Sequence, residues 1–120
     1  MALVITKEHV GSMDGTSLLV EYNNLDASDA SPAPLEYVEY ADRSIQAIGT
    51  FNGGSISLQG SNDGTTWAIL TDPQGNAITF TAAGLEQIQE LTRYIRPLCT
   101  GAGMDIDVFI LLRRASSIRN

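Results

Sequence analysis

Gly54-Ser-Ile-Ser-Leu-Gln-Gly-Ser-Asn-Asp-Gly-Thr-Thr-Trp-Ala-Ile-Leu70 decides the fold class of this 120-residue chain. Ile56 and Leu58 alternate with Ser55, Ser57 and Gln59, the period of two expected of a strand with one buried face. Ser61-Asn62-Asp63-Gly64 supplies turn chemistry, because Gly64 tolerates a positive φ and Asn62 and Asp63 bond readily to their own backbone. The return strand is expected to carry Trp67 and Ile69 on one face, with Trp67, the only tryptophan, anchoring the core. The stretch reads as a β-hairpin.

Similar segments lie on either side. Arg43 to Phe51 reads as a strand with Ile45, Ala47 and Phe51 on one face and Ile48 on the other. Asn52-Gly53-Gly54 is expected to turn it straight into the Ser55 strand as a second hairpin. After Leu70, Pro73 and Gly75 mark a turn. Ala77 to Phe80 is strand-like, and Leu85 and Ile88 fall at helical spacing, which predicts one helical turn within 85–91. Thr92 to Leu98 is a strand in which Pro97 cannot donate to a ladder, so it belongs at an edge or bulge. Met104 to Arg114 puts Ile106, Val108, Ile110 and Leu112 on one face. Its other face starts at Asp105 and Asp107 and then becomes Phe109 and Leu111. A strand apolar on both faces must be covered on both sides, by the N-terminal strand, by the long loop or by a second subunit.

Towards the N-terminus, Leu3 to Thr6 and Leu18 to Tyr22 read as strands separated by the Gly11–Gly15 turn. Asn23 to Pro34 is a loop, and Leu35 to Tyr40 is extended, with Leu35 and Tyr37 on one face. These patterns predict an all-β, antiparallel, jelly-roll-like sandwich in a single domain. Residues 35–114 form its core, 1–34 are N-terminal strands and an acidic loop or arm, and 115–120 are a tail. The expected interior comprises Ile45, Phe51, Ile56, Leu58, Trp67, Ile69, Ile106, Val108 and Ile110.

Charge is distributed unevenly. Residues 1–42 hold eight acids against Lys7 (−8 + 1 = −7), and residues 43–120 hold six acids and six bases, so the net −7 belongs to the first third. An acidic surface repels phosphate backbones, which argues against nucleic acid as a partner. No apolar run approaches the ~20 residues that span a bilayer, so no membrane partner is expected, and a cytosolic origin is the default. Cys99 is the only cysteine and reads as a small buried hydrophobe. Residue patterns that carry chemistry are nearly absent from the sequence. His9 and Cys99 are not placed together by any pattern, and no Cys/His cluster has zinc spacing. Asp63, Asp105 and Asp107 have the oxygen chemistry calcium needs, but a turn and a solvated face explain them. Neither an enzymatic activity nor a cofactor is expected. Tyr37 and Tyr40, set among carboxylates, are candidates for an interface patch, as are Phe109, Leu111, Arg113 and Arg114.

Glu36-Tyr-Val-Glu-Tyr-Ala-Asp-Arg-Ser44, Gly49-Thr-Phe-Asn-Gly-Gly54, Gln59-Gly-Ser-Asn-Asp-Gly-Thr-Thr-Trp67 and Arg93-Tyr-Ile-Arg-Pro97 together resemble small virion proteins of tailed bacteriophages. The resemblance runs through residues 35–114 and includes podovirus-type capsid cement or decoration proteins. It implies a jelly roll made in the host cytoplasm and placed on the capsid exterior, with the major capsid protein as partner and no catalytic motif. A second likeness, in Gly60–Trp67 and Arg93–Arg96, is to discoidin-type carbohydrate-binding jelly rolls, here displayed on a virion. The doubly apolar end of the last strand adds the expectation of a homo-oligomer, dimer or trimer.

Overall fold

The computed structural model describes residues 4–9, 17–26 and 32–114. The expected turn at 11–15, the middle of the acidic loop and the C-terminal tail lie outside the described residues. The strands are β1 (Val4–His9), β2 (Ser17–Leu25), β3 (Asp42–Thr50), β4 (Ser55–Ser61), β5 (Ala68–Ile69), β6 (Thr79–Phe80), β7 (Gly84–Gln87), β8 (Tyr94–Thr100) and β9 (Asp105–Arg113). All pairings between them are antiparallel. One sheet has the order β1-β2-β9-β3-β7. In the other, β4 is central, with β8 along one edge and the short β5 and β6 along the opposite edge. The protein is thus an all-β, jelly-roll-like sandwich in one domain, as expected.

The core is the alternate residues of each sheet turned towards the other. Val20 and Tyr22 of β2, Ile45 and Ala47 of β3, Ile56 and Leu58 of β4, and Ile106, Val108 and Ile110 of β9 are fully buried. Burying the valine, leucine and isoleucine side chains among them is the main stabilising contribution, at about 1.5–3 kcal/mol for each. Tyr22 satisfies its hydroxyl by donating to the Ala33 carbonyl at 2.7 Å. Burial, with Tyr37 nearby, pushes its ionisation above the ordinary range.

Two of the expected core residues are outside the core. Ile69 is 45% exposed and Trp67 is half-buried on the outer surface. The reason is register. The turn between β4 and β5 runs from Asn62 to Trp67, longer than a tight two-residue loop, and pairs Ile69 with Gln59 and Ala68 with Gly60. Gln59 faces outward, so its partner does too, and a one-residue change of register moves a whole strand to the other face.

The Asn52-Gly53 turn forms, but not as a hairpin within one sheet. Asn52 (φ 49°) and Gly53 (φ 80°) both take the left-handed region, and the Gly54 N–H donates to the Phe51 carbonyl at 2.8 Å. β3 belongs to the five-stranded sheet and β4 to the other, so the chain changes layers here. Gly49 makes this possible: at φ +129°, a Cβ there would lie 2.3 Å from the Asp105 carbonyl oxygen. The return crossing from β8 to β9 passes through Gly101–Gly103 beside it. Asn52 Nδ2 donates to the Ala102 carbonyl at 3.1 Å and ties the two crossings together.

Leu35–Tyr40 is not a strand. Leu35 makes a single bridge to Ile95, and the chain then turns, with the Tyr40 N–H donating to the Tyr37 carbonyl. Arg43 explains the turn. Its buried guanidinium donates to the carbonyls of Tyr40 (2.7 Å), Tyr37 (2.9 Å) and Thr92 (3.2 Å), which gathers this segment around it. A buried charge needs such partners. The expected helical turn at 85–91 is also absent. Gly84–Gln87 instead extends β3 at its free edge, and the Ile88 N–H continues the pairing to the Arg43 carbonyl. β8 is an edge strand, as Pro97 requires.

Candidate functional site

The sandwich presents two outer faces of different chemistry. On the four-stranded sheet, register aligns Gln59 with Arg96 and Ser61 with Tyr94, and β5 brings Ile69 beside Gln59. Arg96 stacks its guanidinium 3.8 Å from the Trp67 ring centre and donates through Nε to Gln59 at 3.0 Å. Trp67 and Tyr94 lie 6.4 Å apart, and Arg93 lies 5.0 Å over Tyr94. Arg93 also reaches Glu36 at 2.7 Å. The rigid turn before Trp67 sets this ladder. The Asp63 carboxylate accepts from the N–H groups of Thr66 (2.7 Å) and Thr65 (2.8 Å) and from the Ser61 hydroxyl (2.8 Å). Those bonds hold it well below the usual carboxylate range.

The outer face of the five-stranded sheet is built differently. Along β9 the outward side chains are Asp105, Asp107, Phe109, Leu111 and Arg113. Register sets Leu19 of β2 and Ser44 of β3 beside Leu111, and Gln46 beside Phe109. Leu85 of β7 comes next to Gln46. Leu19, Ser44, Gln46, Leu85, Phe109 and Leu111 line a shallow hollow of about 440 Å³. Leu85 is 65% exposed and Leu111 43%. β1 does not cover this hollow, because it pairs edge to edge with β2 and extends the sheet instead. Charged groups border the apolar centre: Asp42 paired with Arg113 at 2.7 Å at one end of β9, Asp105 and Asp107 at the other, and Glu21 of β2 beside Phe109.

The expected interface residues separate on this framework. Phe109 and Leu111 are together in the apolar hollow and Arg113 is at its margin. Tyr40 is buried in the core and Tyr37 packs half-buried against it, their rings edge to face at 5.8 Å, so neither forms an outward patch. The turn around Arg43 draws both inward. Arg114 lies 6.0 Å over the Tyr40 ring, beyond the end of β9. Leu19 and Leu85 were not expected in the patch. Leu19 was legible, since Leu18-Leu19-Val20 is apolar on both faces just as the end of β9 is. Leu85 was hidden by its apparent helical spacing. Cys99 is buried, with its sulfur 3.6 Å from that of Met104. Among the described residues, no three His, Cys, Asp or Glu side chains gather as a metal site requires.

No protein-family model matches this chain, and no curated protein matches it. Among solved structures it is similar to a cupin protein from Bacteroides fragilis, with 13% sequence identity and a TM-score of 0.48. That similarity covers 98% of this chain and 81% of the other. The detected likeness is therefore to a bacterial cupin. This corrects the expectation of a tailed-phage capsid cement protein, and with it the discoidin-like module on a virion. The motifs behind that expectation are accounted for by local structure. Ser61, Asp63 and Gly64 build a turn, Asn52 and Gly53 build a layer crossing, and Arg93 to Arg96 stack on aromatic rings. Such turn chemistry recurs wherever antiparallel strands meet and carries no function with it.

Proposed function

We propose that this chain is a non-catalytic β-sandwich module that works as a homo-oligomer, in its simplest form a dimer, joined through the outer face of the five-stranded sheet. One observation carries the reading: Leu19, Leu85, Phe109 and Leu111 form a contiguous, water-exposed apolar patch inside a charged margin. An apolar centre with a polar rim is the anatomy of a protein–protein interface. Sheets also pack face to face through such surfaces, about 10 Å apart. A second copy supplies a matching face without any further partner, and two-fold pairing closes the assembly.

Sedimentation equilibrium of the purified chain tests this, with Leu111→Asp as the comparison. The wild type is expected to dimerise. The variant should keep its β spectrum and lose association by roughly thirtyfold or more, the ~2 kcal/mol typical of a central interface residue. A wild type that stays monomeric at millimolar concentration overturns the reading.

A further inference from the structure

We infer that charge restrains the dimer proposed above and that ionic strength sets its affinity, the face-to-face contact tightening as salt rises. This rests on that dimer and adds what regulates it. Alternate residues of a strand share a face, so the register fixes which charged groups the outer five-stranded face carries. Glu21 of β2 stands beside Phe109, Asp105 and Asp107 begin β9, and Asp42 of β3 pairs with Arg113 at 2.7 Å. The outward positions of β3 after Asp42, and Leu85 and Gln87 of β7, carry no charge. Glu86 takes the register position of the buried Ile45, on the other side. On β1, Glu8 holds the register position of Leu19, and Lys7 that of the buried Val20. Arg114 lies over Tyr40, away from this face.

Among the described residues, three carboxylates of this face therefore have no cation: Glu21, Asp105 and Asp107. Asp107 accepts the Asn24 N–H at 3.0 Å, which satisfies an oxygen without cancelling its charge. The one guanidinium of the face, Arg113, is already held by Asp42. A second copy brings the same set. The sign of the interaction thus does not depend on how the two copies are turned, because each face is acidic and neither offers a spare cation. Sheets packed face to face lie about 10 Å apart. Charges act over about 30 Å at about 0.01 M salt and over about 10 Å at about 0.1 M, so the two sets repel in dilute salt. Glu21 adds a further cost. It adjoins Phe109 in the apolar centre, so closing the interface draws an unpaired carboxylate partly out of water. Apolar contact between the leucines and Phe109 drives association and the carboxylates oppose it. Salt screens the opposition and leaves the drive, whereas an interface built on complementary charge weakens with salt.

Sedimentation equilibrium across a sodium chloride series tests the restraint. The wild type is expected to associate roughly fivefold or more tightly at about 0.5 M salt than at about 0.01 M, as screening removes the repulsion. The variant Glu21→Gln/Asp105→Asn/Asp107→Asn keeps an amide oxygen to accept the Asn24 N–H. At low salt it should already reach the affinity of the wild type at high salt, and it should change by less than about twofold over the series. Glu36→Gln removes one carboxylate from the opposite outer face, where it pairs with Arg93, and should keep the wild-type salt response. It thereby separates this face from the net charge of the whole chain. A dimer that is unchanged or weakened by salt, with Leu111→Asp still abolishing it, overturns the restraint and leaves the interface standing. So does a triple variant with the full salt response, which would assign that response to the apolar contact. Loss of the response in Glu36→Gln overturns the restraint as well. A wild type that stays monomeric throughout the series removes the interface and the restraint together.

Discussion

The two outer faces of this sandwich handle exposed apolar surface in opposite ways. On the four-stranded sheet each aromatic ring carries a guanidinium: Arg96 on Trp67 and Arg93 on Tyr94, with Gln59 and Glu36 holding the arginines in place. Arginine covers aromatic surface with its stem and planar head while keeping its charge in water, so the two rings of that face are covered within one chain, while Ile69 beside them stays exposed. On the five-stranded sheet, Leu19, Leu85, Phe109 and Leu111 have Ser44 and Gln46 among them and Glu21 beside Phe109, and the other charges stay at the two ends of β9. Aromatic residues on a surface do not by themselves mark a site. The difference lies in whether the chain brings its own cover.

Adjacent residues of one strand give the sharpest way to break this comparison. Ile110 points into the core and Leu111 points away from it. Ile110→Ala is expected to destabilise the domain by about 2–5 kcal/mol, through lost transfer energy and a cavity. Leu111→Ala should cost the monomer less than about 1 kcal/mol, as surface changes do, and show its effect in association. Chemical denaturation at low and high protein concentration separates the two. Equal losses at both positions in dilute solution would mean that Leu111 is already covered within the monomer.

Trp67→Ala probes the other face and should have a smaller effect. A half-buried indole carrying one stacked guanidinium is expected to contribute about 1–2 kcal/mol, below the 3–5 kcal/mol of a fully buried aromatic. Thermal melting and indole fluorescence check this. A loss in the larger range would put the indole in the core after all. The smallest effect belongs to Asp63. Its carboxyl is held below its ordinary range by the Thr66 and Thr65 N–H groups and the Ser61 hydroxyl. The folded value lies below the unfolded one, so the contribution is complete above the ordinary carboxylate range and fades as pH falls through it. Melting followed between neutral and acid pH should drop less in Asp63→Asn than in wild type. Identical pH profiles would show that the turn does not depend on that charge.

Much of the fold was legible because the inner strands are long and alternate cleanly. Ile56 and Leu58 marked β4. Ile106, Val108, Ile110 and Leu112 mark β9, and its double-sided end at Phe109 and Leu111 points to the patch from sequence alone. What escaped was parity and partnership. Nothing in Asn62–Thr66 states how many residues the turn consumes, so the facing of Trp67 and Ile69 could not be counted across it. Asn52-Gly53 has the composition of a hairpin turn, and only the pairing of β3 with β9 and of β4 with β8 shows that the strands on either side belong to different sheets. The buried Arg43, which turns Tyr37 and Tyr40 inward, has no signature in sequence, because its partners are backbone carbonyls. Likewise Leu85 joins the patch only through β7's pairing with β3, a neighbour some forty residues earlier in the chain.

The position of β9 has a consequence for the order in which the molecule assembles. It lies between β2 and β3 in the five-stranded sheet, pairing Ser17 with Arg113 and Asp42 with Arg113, yet it is the last of the described strands to leave the ribosome. β4, β5, β6 and β8 are all synthesised earlier and pair among themselves over shorter separations. The four-stranded sheet therefore has its partners first, whereas β2 and β3 remain apart until their shared neighbour arrives. Closing such long chain loops is entropically costly and slows folding. The apolar face is thus the last surface to be completed, so a nascent chain has no finished patch to offer a second copy before its own sandwich is closed.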